Sequence, residues 1–451
     1  MAPKILPVRM GSEFVRAGSV VLSRYGTRAS IQAAAAIANF VLSQAAARVL
    51  GVGEFGLYSL VLAGNALVLV LCFQPITDGI NRFLDEAVRE GQRDELQRAA
   101  VSLMFIAAGT VSAVYVCALV FAKYFGLLPA GITFVIACGA LAYILVISFG
   151  AVAVTYFNAK RSFGWYFFTG CVPPLASALL IFALNGLIPT TTFSVIAIQL
   201  FVWTLSFGIV LSIRVPRMRA LVKSLIRPPE ALEATVASAF IGYISSLPLL
   251  SLATYVFMFG DRVLVAQFFT LREVGQYSYM FLLTTSVVVA VYSIYATATY
   301  LKAIEQMSLE QTPAHRSRVT LQFVRLSLAF PLYFLPLLVI YMFFDQEIVR
   351  FVFGPAAFVP SGCLALLLIS AALNYGAHQL SMVGYLLKHQ QRFAGPRWAL
   401  IGLLIVALTL YHPSLYAVSG VVLSINAAHL LIVGVIVYQM YTNETKSLTQ
   451  S

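Results

Sequence analysis

The side chains with the greatest chemical potential in this sequence are charged or hydrogen-bonding groups set inside long apolar runs. An ionised group at the centre of a bilayer costs at least about 2.5–3.5 kcal/mol. Four are cationic: Arg48, Arg82, Arg262 and Arg325. A guanidinium stays charged at any relevant pH and grips two oxygens at once, so these are candidate ligands for an anionic group entering a cavity. Two are acidic, Asp78 and Asp261, and are candidates for coupling to a proton or sodium ion. Two are polar and sit midway along one apolar run: Asn374 and His378, four residues apart, where the histidine is either neutral and hydrogen-bonded or part of a proton relay.

Each has a plainer reading beside the chemical one. Gln74, Asp78 and Arg82 recur every four residues on one helix face, acid before base, which fits an ion pair at a membrane exit as well as a phosphate ligand at a cavity mouth. Ser246, Thr254 and Asp261 fall within about a quarter turn of one another. Asp261 is thus a cavity acid or a capping or interface group, and the adjacent Arg262 points away from it. Arg325 follows Arg318 by seven residues and either snorkels to the interface or faces inward. Arg48 ends a segment whose Gln32, Asn39 and Ser43 stripe and Ala33 to Ala36 run favour close helix packing. No Asp-x-Asp, paired carboxylates or nucleophile with a base is apparent. The cysteines Cys72, Cys117, Cys138, Cys171 and Cys363 all lie in apolar runs, with no metal or disulfide spacing. The reading is therefore of no enzyme, metal or cofactor beyond a coupling ion.

The elements that must position these residues are membrane spans. Of 451 residues, 60% are hydrophobic and 10% charged, against roughly 25% charged in soluble domains. Apolar runs of bilayer length predict helices at Ile31 to Leu50, Leu57 to Asp78, Ala99 to Ala122, Ile132 to Phe157, Trp165 to Leu184 and Phe193 to Ile213. A second series follows at Val236 to Val263, Gln276 to Thr299, Leu321 to Phe344, Cys363 to Leu387, Trp398 to Leu410 and Ala417 to Tyr441. The division is an N-terminal segment 1–30, a six-helix lobe 31–213, a basic linker 214–235, a second lobe 236–441 and a tail 442–451. Of the 29 Lys and Arg residues, 23 fall on one side and only Arg48, Lys123, Arg262, Arg272 and Arg350 on the other, with Arg325 in a helix. That bias places both termini in the cytoplasm and explains the +12 net charge without nucleic acid.

An internal repeat supports the halving. Glu54-Phe-Gly-Leu-Tyr58-Ser59 recurs 219 residues later as Glu273-Val-Gly-Gln-Tyr277-Ser278. Both copies sit where the first helix of a half gives way to the second, so the halves are parallel repeats. The expectation is structural: Gly56 and Gly275 permit a tight entry into the next helix, Tyr58 and Tyr277 anchor at the lipid interface, and Glu54 and Glu273 favour a helix N-terminus.

The stretch Ala46 to Leu62, AARVLGVGEFGLYSLVL, resembles the opening of Wzx-type polysaccharide flippases of the multidrug/oligosaccharidyl-lipid/polysaccharide (MOP) exporter superfamily. Gly260-Asp261-Arg262, Ile348 to Gly354 and Asn158 to Gly164 extend the likeness across both halves. The resemblance implies an all-α polytopic fold of two six-helix lobes around a central cavity. It implies outward movement of an isoprenoid-pyrophosphate-linked oligosaccharide across a bacterial inner membrane, among membrane lipids and beside polysaccharide polymerase and assembly proteins. With both lobes on one chain, a monomer suffices. A MATE-like exporter of another amphiphile is the nearest rival, and a membrane polymerase, ligase or glycosyltransferase a more distant one. Tags at both termini and between Arg214 and Glu233 are expected to be protected in intact cells, and one at Ala356 reachable from outside. A central loop reachable from outside overturns the six-plus-six division.

Overall fold

The computed structural model describes residues 26–124, 134–159, 162–225, 235–245, 247–309, 312–386, 390–412 and 414–449. The N-terminal segment up to residue 25, the centre of the basic linker, Ser246 and the Lys160-Arg161 pair lie outside them.

Among the described residues, nine continuous helices are long and apolar enough to cross a membrane. One of these, Ala29–Leu84, is 56 residues long, about 84 Å at the α-helical rise and far more than a bilayer core. It is two crossings: Gly51 (φ 70°, ψ 173°) takes a conformation that a Cβ disfavours and breaks it into α1 (26–50) and α2 (52–89), the latter interrupted by a π-turn at Leu69–Phe73. The chain continues through α3 (Arg93–Tyr124), α4 (Phe134–Ala159), α5 (Phe163–Ala183) and α6 (Thr192–Leu225). The second series is α7, in the pieces Thr235–Ser245, Pro248–Tyr255, a π-turn Val256–Gly260 and Asp261–Phe268, then α8 (Leu271–Leu309). It ends with α9 (Pro313–Ala329, Phe330–Phe334 and Leu335–Phe353), α10 (Cys363–Leu386), α11 (Ala394–Leu410) and α12 (Leu415–Thr449). The split of the long helix, together with α7 and the shorter α11, brings the passes to twelve.

Helices that are apolar on every side must meet either each other or lipid. The α10 span is 78% buried and packs against α8, α9 and α12 at the heart of the second series, whereas the α3 span is 6% buried and turns Phe105, Ile106, Val114 and Phe121 outward. One apolar cluster joins Phe73, Ile76, Phe83 and Val152 of the first series to Phe240 of α7, and another gathers Phe323, Leu380, Val383 and Val437 within the second series. A third cluster spans both, through Phe55, Tyr58, Tyr277 and Tyr279.

That last cluster marks the closest approach of the two series, and it is built from the repeated hexapeptide. A Cβ on Gly56 would overlap the Leu271 carbonyl oxygen and lie 2.9 Å from the Gly275 nitrogen; a Cβ on Gly275 would overlap the Val52 carbonyl. The two glycines therefore let the backbones of α2 and α8 touch. This corrects the sequence-based expectation for them, since the turn into α2 is made by Gly51 instead. The tyrosines are corrected too: Tyr58 and Tyr277 are 1% and 0% exposed, so neither reaches lipid headgroups. The glutamates do cap helices, Glu273 at the start of its own α8 through Thr270 and Glu54 at the start of α6 through Thr192.

We refer to the end carrying the repeat as the motif end and the opposite one as the basic end. Gly275→Ala is expected to destabilise the protein by about 1–3 kcal/mol, as overpacking does. Gly64→Ala, where an added Cβ meets nothing within 4 Å, is expected not to do so. Thermal unfolding of the purified protein measures both.

Candidate functional site at the seam between the two series

Beneath the glycine crossing, a buried polar chain runs from one series to the other. Ser59 of α2 and Ser278 of α8, equivalent positions in the repeat, face each other with their hydroxyl oxygens 2.7 Å apart. Ser278 also lies 2.7 Å from the Val274 carbonyl oxygen. Each hydroxyl has one proton, so the consistent arrangement has Ser278 donating to Val274 and Ser59 donating to Ser278. The remaining acceptor capacity of Ser59 then faces Arg262 Nη1, 3.4 Å away.

Arg262 is 7% exposed, and its guanidinium lies over the Phe281 ring at 4.1 Å and the Phe259 ring at 5.2 Å. Aromatic faces partly replace the water the cation has lost. Its Nε, also buried, has no hydrogen-bond acceptor among the described residues. The neighbouring Asp261 goes elsewhere, as the sequence implied: its carboxylate accepts from the Tyr277 hydroxyl at 2.7 Å and from the Arg262 backbone N–H at 2.8 Å. The first series has a counterpart without charge, in which Gln199 of α6 donates to the Tyr58 hydroxyl at 2.7 Å and accepts from the Tyr143 hydroxyl at 2.6 Å.

The other sequence-selected residues are dispersed. Arg48, at the motif end of α1, donates through Nε to the Val352 carbonyl at 2.7 Å and through Nη2 to that of Phe351, with Gln44 on the same Val352 oxygen at 3.0 Å. These contacts satisfy the last carbonyls of α9 and tie the two series together where Phe353, Tyr279 and Phe55 stack. Arg82 is exposed at the basic end of α2 and lies over the Tyr243 ring of α7 at 4.9 Å. Asp78 is one turn above it, within electrostatic reach of Tyr243 and of Tyr300 on α8. Near it Gly79 presses on Phe240, so α2 meets α7 here as it meets α8 at the motif end. Arg325 is exposed on the α9 face that also presents Leu328 and Leu332.

Asn374 and His378 of α10 belong to a second polar group inside the second series. Asn374 donates to the Phe257 carbonyl at 3.1 Å, an acceptor in the α7 π-turn. His378 borders a cavity with Arg397 and His429, neither of which was selected from the sequence. Arg397 counted there as a cytoplasmic loop residue; it is 3% exposed within α11. A histidine midway along the last apolar run was the signal for His429.

No family model and no curated protein matches the sequence. Solved structures match over nearly its whole length. A MATE transporter in complex with MaL6 has TM-score 0.64 and 13% identity, covering 93% of this chain and 96% of that one. An inward-facing multidrug resistance MATE family transporter of the MOP superfamily has TM-score 0.59 and 11% identity, covering 91% and 96%. The lipid II flippase MurJ in an inward closed conformation has TM-score 0.54 and 12% identity, covering 88% and 84%. The fold is therefore that of MATE transporters and MurJ: an all-α, multi-pass membrane fold.

The Ser59–Ser278 contact has a direct test. A Ser59→Cys/Ser278→Cys double variant is expected to cross-link on mild oxidation, while pairing Ser59→Cys with Ser293→Cys, further along α8, is expected not to. Proteolysis between the two halves followed by non-reducing electrophoresis reads the result.

Proposed function

We propose that the protein is a flippase that moves an isoprenoid-pyrophosphate-linked oligosaccharide from the cytoplasmic to the outer leaflet of a bacterial inner membrane, for surface polysaccharide synthesis. The observation that carries this reading is Arg262: a guanidinium buried on the seam between the two series, with a buried Nε–H that lacks an acceptor. A diphosphate supplies paired oxygens and a compensating charge to such a group, and cannot itself be desolvated unpaired. Arg82 at the basic end offers a second cation on the path. The likeness to MurJ, described as a lipid II flippase, is consistent with a lipid-linked cargo.

In this reading both termini are cytoplasmic and the motif end faces outward. Its closure by the Gly56–Gly275 crossing, the Ser59–Ser278 bond and the Arg48 contacts leaves loading to the cytoplasmic side. Alternating access then requires α2 to part from α8 at the motif end. Asp261 and Asp78 are the proposed sensors of a coupling proton or sodium ion. Asn374 and His378 act within the second series, and Arg325 meets headgroups at the cytoplasmic interface. Arg48 contributes to the closed gate. The chain works as a monomer beside polymerase and assembly proteins. The transporter neighbours favour this over a membrane enzyme. A MATE-like exporter of another amphiphile is the second reading, favoured by the higher TM-score of 0.64 to a MATE structure.

Loss of the protein is expected to leave completed lipid-linked oligosaccharide on the inner leaflet; truncated sugar chains would point instead to an enzyme. Arg262→Ala is expected to abolish export, with Arg262→Lys restoring only part because it lacks the two-pronged geometry. Asp261→Asn is expected to slow cycling with the protein still in the membrane. Wild-type export in Arg48→Ala, Arg82→Ala, Arg262→Ala and Arg325→Ala alike, at normal protein levels, would transfer preference to the MATE-like reading.

A further inference from the structure

The second series contains a small cavity, apart from the seam, whose walls are rich in hydrogen-bond donors. Thr254 and Phe257 of α7, Asn374 and His378 of α10, Arg397 of α11 and His429 of α12 line it. Its free space is about that of a single water-sized particle, far below the roughly 300–1,000 Å³ of pockets that hold organic ligands. An oligosaccharide head group does not fit; a single monatomic ion, held by the lining side chains without water of its own, is the class of ligand such a space suits.

The lining fixes the sign of that ion. Arg397 is 3% exposed, and its guanidinium reaches His429 Nε2 at 3.3 Å, Ser381 Oγ at 3.0 Å and Thr254 Oγ1 at 3.4 Å. Arginine has only donors, so the His429 Nε2 it meets is an acceptor, and the proton of the neutral ring is on Nδ1. That Nδ1 is buried and has no hydrogen-bond partner among the described residues. Asn374 adds an amide, and none of the six lining residues is acidic. A metal cation placed here would meet a fixed guanidinium and an N–H. A halide would meet both with favourable sign, and would give the His429 Nδ1–H the acceptor it lacks.

We propose that this cavity is a binding site for a single small anion of the halide class. Its position couples it to the seam. Phe257 stacks on His429 with ring centroids 4.3 Å apart, and its carbonyl accepts from Asn374. Phe257 belongs to the same five-residue π-turn as Phe259, which packs against Arg262. Occupancy of the anion site therefore fixes the turn of α7 that immediately precedes the seam arginine. The proposal does not depend on the identity of the cargo.

The test uses the full chain in lipid nanodiscs, exchanged into gluconate, with sodium bromide replacing sodium gluconate at constant sodium and ionic strength. The unfolding temperature of the wild type is expected to rise saturably with bromide. His429→Phe is expected to weaken the apparent affinity at least tenfold, and Arg397→Gln likewise. Asn374→Asp, which places a fixed carboxylate in the cavity, is expected to abolish the bromide dependence. Should Arg397→Gln fail to fold, the other two variants decide. Anomalous scattering from bromide in a structure is expected to fall between Arg397 and His429. No bromide dependence in the wild type, or a dependence kept unchanged in His429→Phe and Asn374→Asp, would overturn the proposal. So would stabilisation that follows sodium at fixed bromide.

Discussion

Two backbones touching without side chains between them is the constraint on which the rest of the structure depends. Where α2 crosses α8, Gly56 and Gly275 bring the main chains closer than any Cβ would allow. That closeness sets Ser59 against Ser278 one turn below and seats the Arg262 guanidinium between rings of α7 and α8. It also holds Phe55 against Tyr279 above. Elsewhere the two series meet through side chains, as where Gly79 receives Phe240, and flexible rings can yield there as backbone cannot.

Several buried polar groups in this bundle find their partners within their own series. Tyr58 closes onto Gln199 and Tyr143, Tyr277 onto Asp261, and Asn374 onto the carbonyl of the α7 π-turn. A hydrogen bond lost in a lipid-surrounded core is not replaced by water, so these networks make each series rigid. The seam depends on the serine pair, the serine-to-arginine contact, the Arg48 and Gln44 caps on α9 and a Tyr255 bond to the Ala63 carbonyl. Each series is thus held mainly by its own contacts, and among the described residues few polar contacts join the two.

The spans were legible in the sequence because each depends on some twenty consecutive residues, and the repeat was legible because its two copies share four of six residues at matching places in the two series. What escaped depends on partners remote in the chain. Tyr58 and Tyr277 stand near helix ends, where aromatic residues usually meet headgroups, but Gln199 is 141 residues from the former. Arg397 looked like a boundary residue because a local hydropathy window treats a guanidinium as an exit from the membrane. The groups that solvate it, Ser381, His429 and Thr254, lie 16, 32 and 143 residues away. Of the polar group in the second series, sequence reading therefore recovered Asn374 and His378, on one helix, and not the arginine that lines the same cavity.

The contact between Ser59 and Ser278 also says something about how the two halves are related. Only a residue lying on a twofold axis can touch its own counterpart, so these serines mark the axis as they would in a symmetric dimer of identical subunits. This chain is in that sense a dimer whose subunits have been tethered and then allowed to differ. At the spacing of the repeat, the counterparts of Asp261 and Arg262 are Leu42 and Ser43, so the charged pair occurs once where a true dimer would carry it twice. Two guanidiniums converging on one axis would repel each other in a medium of low dielectric constant. Tethering removes that obligation and leaves a single guanidinium beside the serine pair.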